Sequence, residues 1–483
     1  MKTLISVVVL ALCAATADAK NLYVNRQTGS DATSYAENSE SRPWATIGRA
    51  AWGSTSRSAP NANEAARAGD VVAVAAGTYT TVGTGNRYEV AYNPINSGSP
   101  SNPIVFQGNG TVVLTYSSGA GPMIGACGGA VCGGGNRDYI AWRGFTINEA
   151  NALSVSDTGP VVFVNTVGSM LEGSEITGVG NNGRQDNYTG VRIDTGRGVI
   201  VRNNRIANFL GYGRNSAGIM TYYSGQLLIE NNEITNTGSG IYLKANFNNT
   251  DWVTIRYNHI HGIQTGGIDV HRQPSTASAP VKIYQNVIRN SSAGIKLHGF
   301  DGEATDARNV KIVNNTLVNN TQNMHILYAM VDNAGHMFWN NLVYGGNNGV
   351  YMEGPAGNVT PARIDFEHNL YFGSGSVAEV ATVGYSLASW KNSLSQDSAA
   401  PAAISQNPNF VNLSGFDFRL QASSPARNLG VDALDLDNDG NTTELIAAGA
   451  YITGNETIGR TSSASGSSLP STPTGLRIVV PGQ

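Results

Sequence analysis

The sequence predicts an all-β chain wound into a parallel solenoid, and three observations carry that prediction. An Asn two residues before an aliphatic recurs as Asn204-Arg-Ile206, Asn232-Glu-Ile234, Asn258-His-Ile260, Asn286-Val-Ile288, Asn315-Thr-Leu317 and Asn341-Leu-Val343, at steps of 28, 26, 28, 29 and 26 residues. A period in this range with strand-like content marks stacked repeats, each one supersecondary unit resting on its neighbours. Second, Gly240-Ile-Tyr-Leu-Lys244, Gly267-Ile-Asp-Val-His271 and Gly294-Ile-Lys-Leu-His298 each alternate apolar and polar residues, the pattern of a strand with one buried face. Third, 58 Gly and a run of paired Asn suit short strands joined by tight turns.

Stacking those phrases assigns each side chain a direction. Identical positions in successive coils lie about 4.8 Å apart. Ile241, Ile268 and Ile295 then point inward, with Leu243, Val270 and Leu297 beside them. The outward positions form two ladders, Tyr242-Asp269-Lys296 and Lys244-His271-His298. The recurring Asn side chains are expected to hydrogen-bond up and down the stack while tolerating a turn backbone.

Bulk properties narrow the partners. Only 13% of the residues are charged and the net charge is -4, so no basic field exists to hold nucleic acid. Lys2, the apolar run from Leu4 to Ala15 and the small residues Ala17-Asp18-Ala19 read as a secretory leader at 1–19, which implies a secreted chain. That run is too short to span a bilayer, and no later segment approaches a span. After leader removal two cysteines remain, Cys127 and Cys132, and in an oxidising compartment a local disulfide is the expected state. Asp435, Asp437 and Asp439 have the spacing of a calcium loop, but Ile446 stands where such a loop carries its bidentate Glu, so a structural turn is expected there.

Asn21-Leu-Tyr-Val-Asn25 with Gly29-Ser-Asp31, then Pro43-Trp44-Ala-Thr-Ile47, then Ala68-Gly-Asp-Val-Val-Ala-Val74 and Gly77-Thr-Tyr79, resemble the opening of secreted right-handed parallel β-helix proteins. Asn407-Pro-Asn-Phe410, Phe416-Asp-Phe-Arg-Leu420, Ser423-Ser-Pro-Ala-Arg-Asn-Leu-Gly430 and Gly449-Ala-Tyr451 resemble their closing segment. The resemblance implies an all-β, right-handed parallel β-helix with an N-terminal helical cap and a C-terminal capping segment. The expected divisions are the leader, a cap and first coil at 20–82, the helix proper at 83–420, a closing segment at 421–460 and a Ser-rich linker with a final strand at 461–483.

The coil spacing also locates a groove. From strand Gly to ladder Asn is 14 residues for Gly190 to Asn204 and for Gly218 to Asn232, then 18, 19 and 21 for the coils of Gly240, Gly267 and Gly294. The extra residues fall at 247–251, 274–279 and 299–307, each just after one of the three phrases. Insertions at one corner of successive coils pile up on one side and wall one edge of the Lys/His face.

A column of Lys and His beside such a wall suggests an acidic polysaccharide as substrate, acted on by a monomer. On a uronate sugar the natural reaction is β-elimination. A base removes the C5 proton, cations stabilise the enolate-like carboxylate, and an acid protonates the leaving oxygen. Lys244 is the first candidate base, because a positive neighbour one coil away favours its neutral amine. His271 and Arg272 are candidates to hold the carboxylate. His298, Tyr242 or Tyr222 are candidates for the acid. Lys296, Asp269, Arg192 and His325 are candidates for binding further sugars, with a Lys296–Asp269 surface ion pair as the plainer reading of those two. His259 and His261 fall in the turn region and are expected to be structural.

Leu243-Lys244-Ala-Asn246, Ile255-Arg-Tyr-Asn258 and Val270-His271-Arg272 resemble the base, strand and basic-pair segments of polysaccharide lyase family 6, which includes alginate lyases and chondroitinase B. The resemblance implies Lys244 as base and the basic pair as carboxylate neutraliser. Two departures are visible: the basic pair is reversed, and Ile241 and Tyr242 stand where that family carries calcium-binding acids, so calcium has no support at this position. A C5-epimerase uses nearly the same residues. A glycoside hydrolase needs two carboxylates about 5–10 Å apart, and Asp269 is the central acid here, with Asp194 and Glu353 coils away. A non-catalytic polysaccharide-binding or adhesin β-helix is the remaining alternative.

Overall fold

The computed structural model describes residues 19–152, 159–181, 187–211, 215–244, 251–273, 275–298, 307–327, 335–354, 364–436 and 439–461. Residues 1–18 of the expected leader and 462–483 of the expected linker and final strand lie outside them, as do 245–250, 274 and 299–306 of the three insertions. The chain runs as three-stranded coils. One coil is Val253–Arg256, His259–His261 and Gly266–His271, and the next is Val281–Tyr284, Val287–Arg289 and Ala293–His298. Each strand pairs in parallel with its counterparts in the coils before and after, as Ile241 with Ile268 and Ile268 with Ile295. The result is the right-handed parallel β-helix the sequence predicts.

Three faces enclose the core. The third strand of each coil joins an eleven-stranded sheet that carries the Gly-Ile phrases. The first and second strands form two further faces joined into one twenty-stranded sheet, because the early strands are long enough to turn the corner. Ile140–Asn148, for example, pairs through Ala141–Arg143 with one face and through Thr146–Asn148 with the other. Inside, Ile219, Ile241, Ile268 and Ile295 stack in register, as do Leu243, Val270 and Leu297, and all are fully buried. The Gly that opens each phrase has a steric reason. A Cβ on Gly267 would lie 2.4 Å from the Ile288 methyl of the facing strand and 2.7 Å from the Gly294 carbonyl oxygen.

The Asn corner forms a continuous amide ladder. Nδ2 of Asn204, Asn232, Asn258 and Asn286 each donates to Oδ1 of the next ladder Asn at 3.0 Å. The ladder continues through Asn315 and Asn341 to Asn369 and ends on the buried carboxylate of Asp397, which Asn369 reaches at 2.8 Å. The residue before each ladder Asn is left-handed: Asn203, Asn231, Tyr257, Gln285, Asn314, Asn340 and His368 have φ between 51° and 60°. Asn tolerates that conformation better than other side chains, which explains the Asn pairs.

Both ends of the core are covered. Ile47–Trp52 is a short helix whose N-cap, Thr46, accepts from the Arg49 amide, and beside it the indole of buried Trp44 donates to Thr33 O at 2.8 Å. At the other end lies a helix, Leu387–Leu394, that the sequence reading did not anticipate; its Trp390 is fully buried and donates to Asp397 at 3.0 Å. The segment after Leu420 runs back along the Asn corner. Asn340 Nδ2 donates to Val431 O, Asn314 Nδ2 to Ala447 O, the Gly459 amide to Tyr257 O, and the Thr461 amide to Asn203 Oδ1. In the acidic turn within this segment, Asp435 and Asp439 accept from the amides of Gly440 and Asn441, and Asp437 lies outside the described residues. No described helix is long and apolar enough to cross a membrane.

Candidate active site

The eleven-stranded sheet sets the outward ladders by register alone. One runs Arg192, Met220, Tyr242, Asp269, Lys296, His325, Tyr351, Glu379, and the other Asp194, Tyr222, Lys244, His271, His298, Leu327, Glu353. Pleating sends every second residue of a strand to this side. Lys244, His271 and His298 therefore do share one column, and Tyr242, Asp269 and Lys296 share the other.

This face is not the solvated surface that the alternation implies. Tyr242, Asp269, His271 and His298 are each no more than 7% exposed, and Lys244 and Lys296 are half-buried. The pleat decides where a side chain points, but neighbouring segments decide whether water reaches it. One such segment is visible: Lys244 Nζ donates to Asn215 Oδ1 at 2.9 Å, and Asn215 belongs to the connection that precedes Ala217–Tyr222. That contact ties Asn215 to the Lys/His column.

Within the buried cluster the partners run diagonally. His298 Nε2 lies 2.6 Å from Asp269 Oδ1, across one coil and between the two ladders. The atoms are close but off the line of a well-directed hydrogen bond, so both retain unmet polar capacity. The Asp269–Lys296 surface pair weighed from the sequence is absent: the shorter imidazole packs against the carboxylate in the buried layer. The Tyr242 hydroxyl is 3.3 Å from His271 Nδ1, and the His271 and His298 rings are 5.5 Å apart. Burial, then the charge of His298, with Arg272 and Lys244 adding to it, pushes the His271 pKa down to about 4 against the opposing pull of Asp269. A neutral His271 carries no charge of its own, and Arg272 is the cation that follows it in the chain.

The other expected residues are placed as follows. Arg272 directly follows His271 in the left-handed region, φ 53°, and its charge reaches Tyr223. Tyr222 donates its hydroxyl to Tyr223 at 3.0 Å, and the Lys244 ammonium sits 5.7 Å from the Tyr222 ring centre. Arg192 is buried, with Nε closed on Asp194 at 2.8 and 3.0 Å within its own strand. His325 pairs with Glu353 at 2.9 Å, two coils beyond His271. His259 and His261 lie on a different face, bonded to Arg289 and Thr235.

Tyr223 and Asn215 were missed. Strict alternation turns Tyr223 away from the face, but its left-handed backbone, φ 52°, brings it back, and the Tyr222-Tyr223 doublet was the available signal. Asn215 has no periodic signal because it belongs to a connection. The diagonal Asp269–His298 contact follows from the two ladders, since residues one coil and one ladder apart are also neighbours.

A disulfide joins Cys127 and Cys132, with Cα atoms 5.6 Å apart. Cys127 is in register with Val164, the ladder neighbour of Asp194, and Tyr88 and Val90 pack there over Val162 and Val164. This closes the N-terminal end of the face. The Asp194 and Glu353 carboxylates each stand three coils from Asp269, about 14 Å by strand spacing, beyond the 5–10 Å of a glycosidase pair. Among the described residues no three His, Cys, Asp or Glu side chains converge as a metal site.

The family profile described as right handed beta helix region matches residues 139–317. A search of curated proteins gives no match. Among solved structures, XylC in complex with xylose is similar at 12% identity and a TM-score of 0.46, over 76% of this chain and 85% of that one. The pectate lyase Pel9A is similar at 14% identity and 0.41, over 90% and 97%. A family 6 polysaccharide lyase from Pseudopedobacter saltans is similar at 12% identity and 0.33, over 75% and 96%.

Proposed function

We propose that the chain is a secreted polysaccharide lyase that cleaves a uronate-containing polysaccharide by β-elimination on the outward face of the eleven-stranded sheet. The observation that carries the reading is the cluster of Lys244, Tyr242 and His271 on adjacent coils, with His271 held neutral at about 4. Buried ionisable groups without a packing need for their polarity mark functional sites more often than scaffolds.

In this reading Lys244 takes the C5 proton. Its half-buried amine, at the end of its strand and in register with His271, is the flexible base of the set. Tyr242 lies two residues back on the same strand, about 7 Å away along the chain. Its hydroxyl protonates the leaving glycosidic oxygen, and His271 orients that hydroxyl through Nδ1. Arg272 meets the substrate carboxylate, whose charge grows as the C5 proton leaves. The Asp269–His298 pair packs behind His271 and holds its ring in place.

The test is incubation with alginate, pectate, chondroitin and hyaluronan while absorbance near 235 nm is followed. Unsaturated product from one polymer, lost in Lys244→Met and Tyr242→Phe, supports the reading. Cleavage without unsaturation points to hydrolysis, and C5 inversion without cleavage points to an epimerase. Silence on all four polymers leaves the binding-protein alternative ahead.

A further inference from the structure

We propose a second, non-catalytic site on a different face of the helix, a pocket that binds a carboxylate-bearing sugar residue through Arg289. The hairpin Phe410–Asn412 and Asp417–Leu420 packs beside the corner that follows Val287–Arg289 and forms an open pocket of 580 Å³ with it. Arg289, Asn290, Asn319, Asn412, Phe410 and Phe416 are among its lining residues.

Arg289 is the second observation that makes this a site. It is 9% exposed, yet no described carboxylate lies within ion-pair distance of it. The charge of Glu233 reaches Arg289, but Glu233 makes no ion pair with it and lies 3.8–3.9 Å from His261 and Arg205. The Arg289 guanidinium stacks 3.7 Å from the Phe416 ring centre, and Nε donates to His259 Nε2 at 3.0 Å. Donation to that nitrogen requires a neutral His259, and burial holds its pKa at about 4. So neither contact brings a negative charge. A buried cation with no directly paired counter-ion is costly, and one anionic group in the pocket relieves that cost.

The rest of the lining selects the ligand. The planar guanidinium fork matches a carboxylate. Asn290, Asn319 and Asn412 offer amide donors and acceptors suited to hydroxyls. Phe416 and Val411 remain 49% and 47% exposed, an apolar surface that a folded chain would otherwise bury. Acid, hydroxyls and an apolar ring face together describe a uronate. This site stands whether or not the Lys244 face is catalytic.

The experiment follows the methyl resonances of Val318, Val411 and Leu413 in the full chain during titration with D-glucuronate, D-glucose and acetate. Free glucuronate or an oligouronide shifting these methyls, at least tenfold more tightly than glucose or acetate and at least tenfold less tightly in Arg289→Gln, supports the proposal. A stronger response to the oligouronide identifies the ligand as part of a polymer, and a stronger response to glucuronate as a free sugar acid. Acetate matching glucuronate overturns it, because the ring is then not read. Unshifted methyls, or an unchanged Arg289→Gln titration, also overturn it. If Arg289→Gln fails to fold, the exposed Phe416→Ser carries the same comparison, and a wild-type affinity there is equally fatal.

Discussion

His271 gains its chemistry from position and not from its own side chain. An ordinary imidazole titrates near 6.5, but burial and the charges of His298, Arg272 and Lys244 hold this one at about 4. As a neutral acceptor it can orient the Tyr242 hydroxyl throughout the working range. We expect the His271 imidazole to take up its proton near pH 4 when its ring resonances are followed by NMR; a midpoint near 6.5 would show a solvent-exposed, protonated imidazole. Lys244→Met is expected to lower kcat by about 10²- to 10⁴-fold, the usual contribution of a positioned base, while leaving the thermal midpoint almost unchanged. Asp269→Asn tests the diagonal contact. It should lower kcat with little change in KM, because Asp269 acts on the ring behind the site; a change confined to KM would place it on the substrate instead.

At the scale of the element, each coil is held by two columns with different physics. The aliphatic column around Ile268 excludes water, and Ile268→Ala is expected to cost about 2–5 kcal/mol by the usual transfer and cavity terms. The amide ladder satisfies the corner between the first and second strands of each coil. Asn258 accepts from the Asn232 amide and side chain and donates to Ile229 O, Arg256 O and Asn286 Oδ1. Asn258→Ala orphans several of these buried groups at once and is expected to cost about 2–4 kcal/mol, read as a shift in the denaturant midpoint. A loss below about 0.5 kcal/mol would mean that water replaces the amide. The periodic Asn was legible in the sequence because the stacking that needs it repeats every coil. Asn369 and Asp397 escaped the same pattern: Tyr371 stands two residues after Asn369 where the other coils carry an aliphatic, and Asp397 ends the ladder with a carboxylate.

For the whole molecule, His259, His271 and His336 link stability to pH. Burial is the first cause for each, and all three are lowered from 6.5 to about 4 in the folded chain. The unfolded chain therefore takes up these protons first on acidification. Stability from these groups is complete above about pH 6.5 and is lost as pH falls toward 4. The thermal midpoint should decline steadily across that window, and a flat profile there would contradict three buried neutral imidazoles. The returning segment that ends at Thr461 adds a second long-range constraint, since it touches the corners of coils from Asn340 back to Asn203. Truncation before Val431 should lower the midpoint while leaving the strand registers intact.

The sequence by itself determined the coil period, the inward aliphatic column, the Asn ladder and the membership of both outward ladders. These follow from local alternation and from one repeat length, and each coil restates them. Tertiary structure decided the rest. That Tyr242, Asp269, His271 and His298 are buried depends on what packs over the strands, which alternation does not specify. That Asp269 meets His298 and not Lys296 depends on side-chain reach across a diagonal. The closing helix Leu387–Leu394 and the return of the chain along the Asn corner depend on where an irregular segment finds unpaired surface. Alternation sets the direction of a side chain because it is a property of one strand. Burial, partner and charge state are properties of everything packed around it.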